Sequence, residues 1–321
     1  MNIDLDNKSI NAVYANGKNE IKVTTQYEIS LIASGEDAKT QNSATVELIN
    51  FLNGQKIPSY NPTDIPPGTA TGWKYWTEAG KYVNPFSPPA GTNFVESGDI
   101  QSTSSPVDTT GPQYRYFWLY NDSGVNDPLS VAMSVSWTDP DGNPWTFTTA
   151  QSNSNSAASV AVTAVSPKIY GIGNTNGDNL DHKSTASGTL DSGPSWYQTN
   201  YFFRIKDANF YIKDATITSN PDTEQKSPFA IIQDHDTCFL YYAWDLGAAD
   251  TATISPLNIS VDYNERQGQL CITQIMVPFD YSETACFNNT TATILDNYAN
   301  GTTFNITIVD SGRTPQFTNN N

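Results

Sequence analysis

The chain has 321 residues, and its 33 acidic against 16 basic side chains give a formal net charge of −17. That balance excludes DNA or RNA as a partner, because phosphate neutralisation needs clustered Lys and Arg, and it argues against an anionic bilayer on the same ground. Hydrophobic residues make up 37% and aromatic residues 12% of the chain, enough to fill one or two cores, so the chain is not disordered. Charged residues are only 15%. Asn, Thr, Ser, Gly and Tyr stand in their place, and these suit pleated surfaces and turns.

From the N-terminus, Met1–Asn7 has neither the basic start nor the apolar stretch of a secretory signal. No window approaches the roughly 18 apolar residues of a membrane-spanning helix. Localisation is left open between the cytoplasm and the exterior, reached by a signal-independent route. Residues 10–32 read as a hairpin: Asn16-Gly17 is a tight-turn pair, and from Ile21 to Leu31 the odd positions are mostly apolar and the even ones polar. Ser43–Gly54 fits either a short capped helix or a strand entering a hairpin. The Pro-rich stretches 54–72 and 84–112 read as long loops between strands.

Two aromatic segments follow. In Gly72–Glu78, Trp73, Tyr75, Trp76 and Glu78 are candidates to line a glycan site, against the plainer role of anchoring a loop. In Tyr114-Arg115-Tyr116-Phe117-Trp118-Leu119-Tyr120, an extended strand places Tyr114, Tyr116, Trp118 and Tyr120 on one face and Arg115, Phe117 and Leu119 on the other. One face belongs to a core. The aromatic one, if it reaches solvent, suits sugar rings, whose C–H patches stack on aromatic faces. The plainer reading makes that face core as well.

Leu129, Val131, Met133, Val135 and Trp137 alternate with small polar residues and run into the turn Asp139–Asn143, then Trp145–Thr148; Ser159–Val165 alternates again. Residues 167–200 are rich in Gly, Asn and Ser and read as loop or linker, which places a domain boundary there, between domains 1–168 and 169–321. Asn174–Asp181 and Asp139–Asn143 mimic calcium loops but lack the terminal bidentate Glu, and turn chemistry explains both. Asp191-Ser192-Gly193-Pro194 has no histidine motif to complete a serine-protease triad.

Alternating runs continue at Phe210–Ile217, Leu257–Tyr263, Leu270–Val277 and Phe304–Ile308, while Thr291–Ala299 is again helix or strand. Cys238–Leu246 is apolar on both faces, as in a strand buried on both sides. Just before it, Gln233-Asp234-His235-Asp236 reads as a polar turn, since neighbouring strand residues point opposite ways and cannot share a metal. Cys238, Cys271 and Cys286 are an odd set with no CxxC spacing, and are structural. The sequons at Asn258 and Asn305 follow from composition alone.

The expected fold is all-β: two antiparallel β-sandwich domains, Ig-like or jelly-roll-like, with long loops and at most one or two short helices. No catalytic motif, metal set or cofactor signature is present, so the expectation is a non-enzymatic recognition protein. Its partner would be a glycan or cell-surface receptor, as for an adhesin or the targeting part of a bacterial toxin. The candidate contact residues are Tyr114, Tyr116, Trp118, Tyr120, Trp73, Tyr75 and Trp76. Self-assembly into a fibre, capsid or surface layer is a second reading, with copies of the chain as partners. A carbohydrate-active enzyme is a third, requiring two facing carboxylates.

Overall fold

The computed structural model describes residues 1–5, 11–29, 44–83, 112–123, 127–150, 158–219, 227–278, 286–309 and 313–320, with the backbone alone at Asp127, Ser219, Cys286 and Phe287. Most of the Pro-rich 84–112 stretch therefore lies outside the described residues. The fold is all-β, mostly antiparallel, with one short 3₁₀ turn at Ile172–Asn174 among the described residues. The chain clusters into two compact units, Met1–Pro167 and Lys168–Asn321.

The first unit is two facing sheets. One runs β1 (Asn2–Leu5), β3 (Asn19–Tyr27), β7 (Gln113–Asn121), β5 (Trp73–Trp76), with β6 (Tyr82–Val83) beside the start of β3. The other runs β2 (Ala12–Tyr14), β10 (Val160–Val165), β8 (Asp127–Thr138), β4 (Thr45–Asn50), with β9 (Pro144–Thr148) on β8. Alternation decides what lies between them. Ile21, Val23 and Tyr27 of β3 and Phe117 and Leu119 of β7 meet Leu129, Val131, Met133 and Val135 of β8 and Leu48 of β4 in one core.

The Asn16-Gly17 turn does not close the expected hairpin over 10–32. β2 pairs in parallel with β10, and β3 pairs with β1 and β7, so the turn carries the chain from one sheet to the other. Gly17 adopts the left-handed region (φ +72°) and lies against Asp122. Asn16 Oδ1 accepts from the Lys18 and Asn19 amides, and buried Asn19 accepts from the Tyr14 amide and donates to the Tyr82 carbonyl. These side chains fix a corner, which an Asn-Gly pair serves as well as it serves a hairpin.

Both helix-or-strand segments are strands. β4 turns at Phe51–Asn53 and returns through Lys56 and Ile57, and β20 (Thr290–Asp296) turns at Asn297–Asn300 into β21 (Gly301–Val309). Their β-branched residues pack better on a pleat than on a helix.

In the second unit, β11 (Asp181–Thr189), β12 (Ser195–Phe203), β18 (Leu270–Val277), β15 (Thr237–Ala243), β14 (Ala230–Asp234) and β19 (Cys286–Phe287) form a six-stranded sheet. One face packs on the sheet of β13 (Ile212–Ser219), β20, β21 and β22 (Thr314–Asn319), the other on the hairpin of β16 (Asp250–Ile254) and β17 (Ile259–Tyr263). β15 is accordingly buried on both faces, as its sequence requires. The linker reading of 167–200 is corrected in its second half, where Asp181–Thr189 is β11 and β12 begins at Ser195. Gly188 carries no side chain because the Trp196 indole lies over it, where a Cβ would sit 2.8 Å from Nε1. At Gly188 the missing side chain is packing, not slack.

Asn19→Ala removes the acceptor of the Tyr14 amide and the donor to the Tyr82 carbonyl in a dry corner. The expected cost is about 2–3 kcal/mol in urea unfolding of the first unit.

Candidate functional site

β3 and β7 pair over seven consecutive positions, from Ile21↔Leu119 to Tyr27↔Gln113. With Ile21, Val23, Phe117 and Leu119 committed to the core, the alternate row of each strand must face outward. That row holds Lys22, Thr24 and Gln26 beside Trp118, Tyr116 and Tyr114. β5 adds Trp76 opposite Trp118, and β1 adds Asp4 and Asn2 on the far side of β3.

The row is graded in exposure. Tyr114 is 51% and Tyr116 47% exposed, Trp118 is half-buried, and Tyr120 is fully covered. Two solvent-facing phenols thus stand about 7 Å apart on one rigid strand. The Lys22 ammonium lies 4.3 Å from the centre of the Tyr116 ring, and the Gln26 amide donates to the Tyr114 hydroxyl at 3.2 Å. Arg115 points to the other face, toward the Tyr27 ring.

Four of the seven candidate residues therefore share this surface: Tyr114, Tyr116, Trp118 and Trp76. The other three do not. Tyr75 is buried in the core, edge-on to Phe117 at 5.2 Å, because its position in β5 matches Leu119. Trp73 has the same parity and packs half-buried against that core. Tyr120 shares the outward row, but its hydroxyl donates to the Tyr60 carbonyl of the 54–72 loop at 2.9 Å. Burial, then Asp122 and Glu20, raise its phenol above the ordinary range.

Under the covered end lies a polar cluster that sequence reasoning did not single out. Lys74 is 1% exposed and pairs with Asp122 at 2.7 Å, while the second Asp122 oxygen accepts from the Gly72 amide at 2.6 Å. Glu20 is fully buried. One of its oxygens accepts from the Gly80 amide at 2.7 Å, and the other has no hydrogen-bond partner among the described residues. A Cβ at residue 80 would fall 2.6 Å from that second oxygen, so the loop approaches this closely only with glycine. Burial pushes the Glu20 carboxyl up to about 7, against the smaller opposing effect of the Gly80 amide. The signal was present in the polar even positions of β3, but their neighbours lie far along the chain.

The other sequence candidates are satisfied internally. His235 and Asp236 form the turn between β14 and β15, His235 at φ +52°, and Asp234 binds both the His235 ring and Arg313. Asn176 accepts from the Arg204 amide and donates to the Phe202 carbonyl, and Asp181 pairs with Arg204. Asp139 accepts from the Asn143 and Asp141 amides and the Trp145 indole, which, with the Asn143 side chain, hold its carboxyl down at about 2. Among the described residues no three His, Cys, Asp or Glu side chains gather as a metal set.

No family of known proteins matches the chain, and no curated protein does. Solved structures do align with it, two of them as follows. One is the wild-type C-terminal domain of the AgI/II polypeptide BspA of Streptococcus agalactiae, over 99% of this chain and 99% of that one, at 10% identity and a TM-score of 0.21. The other is a wild-type BspA C-terminal chain, over 99% and 100%, at 9% identity and a TM-score of 0.21. A likeness this slight carries no argument about fold or function.

Glu20 sets a pH dependence whose sign follows from its raised carboxyl. The native state holds the proton up to about pH 7, whereas the unfolded chain releases it near the ordinary value of 4.5. Stability of the first unit therefore falls as pH rises from about 4.5 to about 7 and is flat above. Glu20→Gln removes this slope and unfolds at higher urea than the wild type at pH 8, by about 1–3 kcal/mol, with the two converging at pH 4.

Proposed function

We propose that the chain is a non-enzymatic recognition protein and that the outer face of β3, β7 and β5 binds a glycan on a cell surface. The single supporting observation is the pair of exposed phenols, Tyr114 and Tyr116, continued by Trp118 and Trp76 on a sheet whose other face is core. Large aromatic side chains seldom lie exposed side by side without a partner to cover them.

The chemistry suits a sugar. Tyr116 and Trp118 offer ring area to the C–H face of a pyranose, while the Tyr114 and Tyr116 hydroxyls and the Gln26 amide offer hydrogen bonds at the ring edge. A net charge of −17 disfavours acidic glycans at long range, so the ligand class is neutral hexose-containing oligosaccharide. Glu20, at the covered end of the row, is sealed beneath Gly80. That supports binding over glycoside cleavage, which needs two carboxyls open to substrate. An adhesin-like role or the targeting step of a toxin would use such a face.

A panel of neutral glycans read by calorimetry tests the proposal. Tyr116→Ala and Trp118→Ala are expected to weaken binding roughly ten- to a hundredfold. Because Tyr116 is exposed, its truncation leaves the melting temperature nearly unchanged. A wild-type chain that binds neither the panel nor intact cells would refute it.

A further inference from the structure

Lys74 and Asp122 are placed as two reactants would be. The register sets Lys74 of β5 opposite Tyr120 of β7, and Asp122 follows two residues on, on the same side of the sheet. A diagonal of that kind is within the span of a lysine side chain. Nζ meets Oδ2 at 2.7 Å between residues forty-eight positions apart in the chain. The other oxygen, Oδ1, accepts from the Gly72 amide at 2.6 Å, while the Gly72 carbonyl accepts from the Asp122 amide. Gly72 takes φ +129°, a conformation that suits glycine and aims its amide at the carboxylate.

As an ion pair the arrangement is costly. Lys74 carries three N–H donors at 1% exposure, and among the described residues Asp122 Oδ2 is the one acceptor its ammonium has. Taking a charged pair out of water is tolerable only when the remaining donors are satisfied as well. The surroundings are dry, since burial is the largest cause that raises both the Tyr120 phenol and the Glu20 carboxyl of the same cluster. An amide in place of the ion pair carries no charge and keeps a single N–H. Its carbonyl oxygen retains the bond from Gly72.

We infer that the Lys74 and Asp122 side chains condense in the folded chain to an isopeptide bond, which ties β5 to the end of β7. The 2.7 Å contact is that of the pair before reaction. A proton passes from Nζ to Oδ2, and the freed lone pair of Nζ attacks Cγ. The carbonyl electrons collect on Oδ1, where the Gly72 amide stabilises them. A second proton then moves from Nζ to Oδ2, the Cγ–Oδ2 bond breaks, and Oδ2 departs as water with both protons. Nζ keeps its third proton as the amide N–H, and Oδ1 is a carbonyl again. Nothing is oxidised or reduced, and no co-reactant is consumed. The Asp122 side chain is 19% exposed, which gives the water a way out. Effective molarities of well-oriented groups reach about 10⁵–10⁸ M, which offsets the unfavourable balance of amide condensation in water. The bond stands apart from the glycan reading and does not depend on it.

Intact-mass spectrometry of the purified full chain reads the bond directly. The wild type is expected to weigh one water less than its sequence. Trypsin does not cut after an acylated lysine, so digestion of the denatured chain is expected to release residues 57–81 joined to residues 116–168. Lys74→Arg keeps a cation against Asp122 but has no nucleophilic amine, and Asp122→Ala removes the carbon that is attacked. Both variants are expected at their full sequence mass. A wild type at full sequence mass overturns the inference whether or not the variants fold. So does a one-water loss that persists in Lys74→Arg, which would mark a succinimide at Asp122, or a digest in which residues 57–74 come free.

Discussion

The pairing of β3 with β7 joins segments some ninety residues apart, and every other feature of the first unit takes its orientation from it. One register shift would exchange the two rows of each strand, sending Lys22 and Gln26 into the core and Val23 and Phe117 into water. The register is held by the apolar row, where Ile21, Val23, Leu119 and Phe117 meet β8 and β4. Thr25 adds a side-chain bond to the Arg115 carbonyl across the same pair. The aromatic platform is thus a by-product of core packing in position, though not in composition: nothing in the core demands that the outward row be Tyr, Tyr and Trp.

The gradient along β7 has a physical cause at its covered end. Glu20, Tyr120 and Lys74 would occupy successive strands of the outward face if the sheet were bare, and each is instead enclosed by the 54–72 and 78–83 segments. Enclosure is tolerable because Lys74 and Asp122 neutralise one another and Tyr120 finds a carbonyl. Glu20 finds only one donor and holds its proton up to about pH 7. This dry polar end adjoins the exposed aromatic end along the same strand.

Fold class was legible from alternation alone, since a period of two in segments such as 129–137 or 304–308 leaves few alternatives to strands. The double burial of Cys238–Ala243 was equally plain, because an apolar run on both faces has no water side. Connectivity was not legible. Asn16-Gly17 bends the chain in a corner or a hairpin with the same backbone, and only the distant partners β10 and β7 decide between them. Composition also misled at 181–200, which forms paired strands, with Gly188 making room for Trp196 instead of marking a linker. For the site, the aromatic residues announced themselves, but parity within β5 depended on the unseen pairing of Tyr75 with Leu119. Glu20 and Lys22 were invisible for the same reason.

The hairpin of β16 and β17 has a consequence for thiol chemistry. Cys238 and Cys271 share the sheet face that it covers, packed with Ile254 and Val261, and neither has measurable solvent exposure. Burial pushes the Cys271 thiol up to about 11, so very little nucleophilic thiolate exists at neutral pH even if a reagent arrives. In the closed state both sulfurs are chemically silent. The rate at which an alkylating agent reaches them is therefore a clock for how often that hairpin lifts from the sheet.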